Sequence, residues 1–460
     1  MTGIVGKSLP FSLRNIRLFI ALRVLFNCRF YYPVFTILFL DFGLTLEQFA
    51  LLNTVWALTI VLAEVPSGAL ADVVGRKYLL VATSVLMFME MLLIAFVPLG
   101  NGTLIFWAFL VNRVLSGLAE ALASGADEAL AYDTLVEQGD PDDWPKVLDI
   151  QMRAKSVGTV IAMTVGALVY DPQSVNSVLH WLGIQTEVTQ QMSMRYPIYL
   201  TLLLSMGALI SSLMMRDPVP LYQSSSEKNP FFTTLWQASR KTWQAGAWIV
   251  GTPFALAAIL FGMGYDHVLR MIVTMTSQYF RLIALPEASF GLIGAVFASL
   301  GFVIPKLARE MVHRNTPAGN ASYLAAITLV ALWSLTGFIP YFGLLPMALI
   351  YSGMMLTSFF TSHYLNRITE SHQRATVLSF KGLAFNLAYG MVGVLFAGLM
   401  QELRKSVAVS RPDLSLPLVE AQAFRQAIGW FPWYTLCILG LIVCFSAWSL
   451  RNSEVHRKAG

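Results

Sequence analysis

Twelve times between residues 18 and 450 the sequence stays largely apolar for about twenty residues, the length an α-helix needs to cross the hydrocarbon core of a bilayer. The runs lie near 18–40, 48–71, 78–99, 103–135, 148–170, 196–215, 247–279, 287–308, 321–339, 343–366, 375–400 and 427–450. Inside lipid every backbone N–H and C=O must be bonded within the chain, so only helices and closed barrels can span. These runs are long and continuous, not short and alternating, which argues against a barrel. Several exceed a bare crossing and imply tilt or extension beyond the lipid. Composition agrees, since 56% of the 460 residues are hydrophobic and 12% are charged, about half the charge of a soluble domain. Such a chain cannot clothe itself in polar surface, so its solvent is largely lipid. The expected fold class is an all-α membrane protein, multi-pass, with twelve transmembrane helices in two pseudo-symmetric six-helix bundles.

Basic residues set the expected orientation. With both termini in the cytoplasm, twenty-one of the 31 Lys and Arg fall in inner loops and helix ends and six fall outside. The remaining four, Arg23, Arg29, Arg113 and Arg270, lie within spans. That bias follows the positive-inside rule, and the expected location is a bacterial inner membrane. The net charge of +5 reports this topology and implies no nucleic-acid partner. Met1–Arg17 is polar and basic, so the first span, not a cleaved leader, is expected to direct insertion. The longest inner connection divides the chain into an N-terminal six-helix half, 1–215, a cytoplasmic linker, 216–246, and a C-terminal half, 247–460. The linker carries an expected amphipathic helix from Phe231 to Trp243. Six spans, a linker and six spans are the arrangement of a duplicated transporter. Cys28, Cys437 and Cys444 fall inside apolar runs and have neither zinc-type spacing nor placement for an outer disulfide.

Between the second and third runs stands Gly68-Ala-Leu-Ala-Asp-Val-Val-Gly-Arg-Lys77. It resembles the signature loop of the major facilitator superfamily, whose common form is G-x-L-A-D-R-x-G-R-[KR]. Gly68, Leu70, Ala71, Asp72, Gly75, Arg76 and Lys77 match, and Val73 departs from the frequent Arg. Gly68 permits close helix contact, Gly75 permits a tight turn, and Arg76 and Lys77 fix charge at the inner surface. The resemblance implies a gate that latches the two halves in one state and releases them in the other. It also implies that Asp133, in Ala131-Tyr-Asp-Thr-Leu135 at the inner end of the fourth span, is a partner for Arg76. A plain helix-end carboxylate is the alternative. The missing Arg at position 73 leaves the role of Asp72 open. Arg113-Val-Leu-Ser-Gly117 resembles the family's R-x-x-Q-G element, with Ser116 in place of Gln. An offset of 237 residues aligns the loop with a degenerate echo, Pro305–Arg314, and aligns Arg29 with Asp266.

Ionisable groups inside spans cost roughly 2.5–3.5 kcal/mol at the centre on insertion scales, so they face a cavity or one another. Arg113, Glu120 and Asp127 recur every seven residues and are expected on one cavity-lining helical face. There Arg113 can hold an anionic group or influence Glu120; a static ion-pair network is the alternative. Asp266 and Arg270 can pair along the seventh span. The 237 offset implies an Arg29–Asp266 contact between halves, the alternative being that each charge is satisfied within its own half. Glu64, Glu90 and His363 are further candidates for proton exchange. Tyr31, Trp56, Phe385 and Tyr389 can line an apolar pocket.

No Walker loop, H-E-x-x-H or nucleophile elbow is present, so the chain is expected to be no enzyme and to use no cofactor or metal. The fifth run, with Gly158 and Gly166, lacks the Gly-Pro pair frequent in proton-coupled exporters of the family. The expected function is secondary active transport of a small amphipathic organic compound by alternating access, as a monomer in a lipid bilayer. A proton is the expected coupling ion and efflux the expected direction. The in-span arginines keep an organic anion, such as a siderophore or metabolite, open as the cargo. A lipid-moving or sensor protein on the same fold is the reading from another class.

Overall fold

The computed structural model describes residues 9–217, 231–369 and 371–459, and regular structure among them is helical throughout. Twelve segments are long and apolar enough to cross a membrane: Arg14–Asp41, Leu46–Gly68, Arg76–Phe96, Gly102–Gln138, Pro141–Tyr170, Gln190–Met214, Pro253–Thr274, Glu287–Arg314, Pro317–Leu335, Leu344–Ile368, Thr376–Ser410 and Leu416–Ser449. An even number of crossings puts both chain ends on one face of the bundle, the terminal face.

Local chemistry explains where the helices start and break. Thr45 and Gln48 form a reciprocal capping box at the head of the second span. Pro253 and Pro317 sit at first-turn positions, where the missing N–H costs nothing. The first span is interrupted: Arg14–Asn27 ends, Cys28–Tyr31 unwinds, and a 3-10 turn at Tyr32–Val34 leads into Phe35–Asp41. Pro33 has no N–H to continue the ladder. The seventh span repeats the device, with Pro253–Thr274 followed by a separate helix, Thr276–Leu282. The run expected at 247–279 is therefore divided, and its beginning belongs to the linker helix, which reaches from Phe231 to Gly251. The fourth span also breaks, at Ser124–Gly125, where Gly125 takes φ +76°, a conformation glycine adopts without a Cβ penalty.

The two halves meet at the face opposite the termini and part toward the terminal face. One hydrophobic cluster runs through both halves, and the first half contributes to it only from the upper portions of its spans, including Phe39, Phe49, Met91, Phe109 and Tyr170. Toward the terminal face the first half keeps a cluster of its own, around Phe19, Leu80, Leu130 and Met215. The linker helix packs in a third cluster with the tenth and eleventh spans. Cross-half bonds follow the same division. Ser277 Oγ accepts from the Thr36 and Ile37 amides at 3.0 and 3.3 Å, and Thr36 Oγ1 donates to the Thr274 carbonyl at 2.6 Å. These two amides are orphans because the first span restarts there. Thr54 Oγ1 donates to the Gly390 carbonyl at 3.1 Å, joining the second and eleventh spans. A Cβ on Gly291, in the eighth span, would fall 2.0 Å from the Met163 carbonyl in the fifth, so that crossing depends on glycine.

Candidate functional site

Arg29 projects from the unwound stretch of the first span. Its Nη1 donates to Glu90 Oε1 at 2.5 Å and to the Tyr31 hydroxyl at 2.9 Å, with Arg29 and Glu90 both buried. Asp266 pairs with Arg270, 2.6 Å away along its own helix. The structure thus does not make the expected Arg29–Asp266 contact. A buried cation takes a carboxylate from the bundle it folds with, and the third span supplies Glu90. That pairing also gives Glu90 a structural partner.

Arg113 is different. It is buried in the middle of the fourth span, and its Nε and Nη2 donate to Asn112 Oδ1 at 3.1 and 2.9 Å. The guanidinium carbon lies 5.4 Å from the Phe35 ring and 5.6 Å from the Phe39 ring, within cation–π range. Among the described residues no carboxylate pairs with it, and Nη1 has no hydrogen-bond partner. Nor does Arg113 share a face with both acids below it. The break at Gly125 turns Asp127 toward the first span, where it sits 2.7 Å from Arg23 Nε. Glu120 remains exposed, close enough to Tyr32 to act on it, and makes no ion pair among the described residues. Glu64 is half-buried, and its carboxylate likewise has no partner there.

The second half lines the same centre. Arg270 Nη1 donates to Asn386 Oδ1 at 2.8 Å, and the guanidinium lies 5.4 Å from the Tyr389 ring. Tyr389 stands in the fields of Arg270 and of Arg113 from the other half. Lys381, counted from sequence among inner-end charges, lies within the eleventh span on one helical face with Phe385 and Tyr389. Its Nζ donates to Ser362 Oγ at 2.9 Å, and it lies in the field of Asp266. Ser362 and His363 border an open recess of about 500 Å³ with Phe359, Ser358, Met355 and Pro305. His363 stacks on Phe359.

At the terminal face Arg76 is ion-paired with Asp133, both partly exposed. Gly75 takes φ +105° between the second-span helix and the third, a conformation an L side chain adopts only with strain. Asp217, just after the sixth span, accepts the Lys77 amide at 3.0 Å. Its carboxylate therefore caps the positive end of the third-span helix. Asn15 clamps the Arg216 backbone at N–H and C=O, at 3.0 and 2.7 Å. From sequence alone, Arg216 and Asp217 are merely the start of the linker. The Asp72 side chain lies outside the described residues. Gly68 has open space where a Cβ would stand, so the close contact expected there is not made while the halves are parted. The second span meets the fourth instead at Gly117, where a Cβ would fall 2.8 Å from Thr59.

The opposite face carries ion pairs that the sequence did not single out. Asp41, at the end of the first span, receives Arg281 from the second half, the Tyr170 hydroxyl and, at 3.2 Å, the Gln190 amide. Arg281 also pairs with Glu287 at 2.7 Å. Arg404 joins Glu47 of the first half to Glu420 of the second.

Two broken-helix bundles that part on one face and lock on the other, with charged groups at mid-span between them, define a membrane transporter, not an enzyme. The sequence profile of the Major Facilitator Superfamily matches residues 18–393, and the chain belongs to that family. No curated protein sequence matches it. Among solved structures it is similar to a bacterial homologue of the human lysosomal transporter Spinster, inward-facing and unoccupied, at TM-score 0.69 and 13% identity, over 95% of this chain and 98% of that one. It is similar to a point mutant of the nucleoside transporter NupG at TM-score 0.68 and 13% identity, over 94% and 98%. A D-xylose–proton symporter matches at TM-score 0.62 and 13% identity, over 91% and 96%.

Proposed function

We propose that this chain carries a small amphipathic organic anion across the membrane by alternating access. Arg113 is the observation that carries the reading: a buried mid-span cation that, among the described residues, has no carboxylate partner and one guanidinium nitrogen unfilled. Leaving a buried charge unpaired is costly, so an anion docking beside it gains both affinity and orientation. Phe35 beneath the guanidinium is half-buried and Tyr32 beside it is exposed, so both offer ring faces to the rest of such a molecule. At the centre four cations, Arg29, Arg113, Arg270 and Lys381, stand against three carboxylates, Glu90, Asp266 and Glu120, which leaves one cation in excess. This favours the anion over a neutral or cationic amphipath as cargo.

With the terminal face assigned to the cytoplasm by its basic loops, the parted ends form an inward-facing cavity. Arg76–Asp133 then belongs to the inner gate and Asp41–Arg281 to the outer one. Glu120, exposed and without an ion pair among the described residues, is the carboxylate we assign to proton coupling. The test is ligand-induced stabilisation of the detergent-purified protein by a panel of carboxylates and phosphate esters, each beside its neutral amide or alcohol. Acids that raise the melting temperature in the native protein and not in Arg113→Gln support the reading. Equal stabilisation by the neutral partners contradicts it.

A further inference from the structure

The linker helix Phe231–Gly251 is too polar to count among the spans, yet it is not merely a tether. Its buried residues Ala245, Gly246 and Ile249 pack on Val377 and Phe380 of the eleventh span and Leu365 of the tenth, and the helix also contacts the second span in the first half. It thus bridges the two halves on the face where they part. Away from that packed side, Trp236, Trp243 and Val250 recur every seven residues and are 70%, 79% and 66% exposed. Exposed Arg240 adjoins the stripe and Lys241 follows it.

We infer that this face binds the anionic phospholipid of the leaflet on the terminal face, with the tryptophans in the headgroup region and Arg240 and Lys241 on lipid phosphates. Three observations converge on lipid as the occupant. The helix ends at the head of a spanning segment, so its depth is fixed at the membrane boundary. Tryptophan with flanking basic residues is the composition of an interfacial helix. The sign of its charge complements an anionic leaflet. Because the helix touches both halves, lipid held there acts on the packing of the second span against the eleventh.

The test places a bimane label at Ser239→Cys, an exposed position between the two tryptophans, in a chain with Cys28, Cys437 and Cys444 replaced. The full-length protein is reconstituted in phosphatidylcholine vesicles containing either headgroup-spin-labelled phosphatidylglycerol or the matching spin-labelled phosphatidylcholine. The expected result is strong quenching by both lipids, with phosphatidylglycerol preferred. Arg240→Gln with Lys241→Gln lowers that preference by about tenfold, and Arg240→Lys with Lys241→Arg keeps it. Quenching by a water-soluble nickel chelate in place of lipid overturns the inference, and so does equal quenching by the two lipids in the native sequence.

Discussion

Arg281 closes on both carboxylate oxygens of Asp41, Nη1 to Oδ1 at 2.7 Å and Nη2 to Oδ2 at 2.8 Å, tying the end of the first span to the helix that follows the seventh. The residues are 240 apart in sequence and belong to different halves. Bidentate guanidinium–carboxylate pairs are geometrically demanding, so this one holds only when the faces are fully closed. Thr36 and Ser277 add bonds one turn deeper. Together they hold the opposite face shut.

Asp41→Asn is expected to release the opposite face. Both partners keep some solvent access, so the loss is set at about 1–3 kcal/mol, between exposed and buried pairs. That corresponds to a shift of roughly five- to 150-fold toward a state open on that face. Spin-label distances between the ends of the first and seventh spans check it. A charge-swapped Asp41→Arg with Arg281→Asp is expected to recover part of the closure, and an unchanged distance distribution in Asp41→Asn sinks the latch.

The same latch has a defined response to pH. Burial alone would pull the Arg281 pKa down, but the hydrogen bond and charge of Asp41, with Tyr170 and Glu287, carry it above the ordinary arginine value. A cation raised in this way gives its full stabilisation below the unfolded value and loses it only as pH climbs through the folded one. Opposite-face distances are therefore expected to be constant from about pH 7 to 10. Opening within that range would show that a group other than Arg281 controls the latch.

Glu90→Gln leaves Arg29 as a second buried cation without a carboxylate. The expected loss of stability is about 3–5 kcal/mol, read as a lowered melting temperature of the purified protein. Arg29→Gln with Glu90→Gln removes both charges and is expected to recover most of it. A single variant as stable as the parent would mean that the pair is not formed.

Arg76–Asp133 is expected to behave in the opposite way. Their side chains are 33% and 47% exposed, and such pairs contribute about 0.2–1 kcal/mol. Asp133→Asn should leave the melting temperature nearly unchanged while slowing turnover. Loss of fold without a change in residual transport rate would place the pair in structure instead of gating.

The spans were legible because lipid imposes length and apolarity on every crossing, and the signature loop was legible because seven of its residues are fixed types. The charge partners were harder to read. A seven-residue spacing puts Arg113, Glu120 and Asp127 on one face only if the helix is continuous, and Gly125 ends it. The 237 offset correctly related the first span to the seventh in order along the fold, but order does not decide which charges meet, since Arg29 found Glu90 within its own half. Carried twelve residues further, that offset reaches Gln278, three short of Arg281. Pseudo-symmetry at the span ends thus points close to the latch. Asp217 had no such signal, because a cap formed 140 residues away in sequence depends on where the sixth span exits.

Selectivity for an anion is what Arg113 is expected to give the carrier. Its direct measurement is counterflow in proteoliposomes, with a radiolabelled acid that stabilises the purified protein set beside its neutral amide, in the native chain and in Arg113→Gln. The expected result is saturable counterflow of the acid alone, reduced about thirtyfold or more in the variant, the scale for losing a buried charged hydrogen-bond partner. The variant should unfold no earlier than the parent, because it removes an unmatched buried charge. Equal counterflow of acid and amide, or an acid rate that survives Arg113→Gln, would contradict the account.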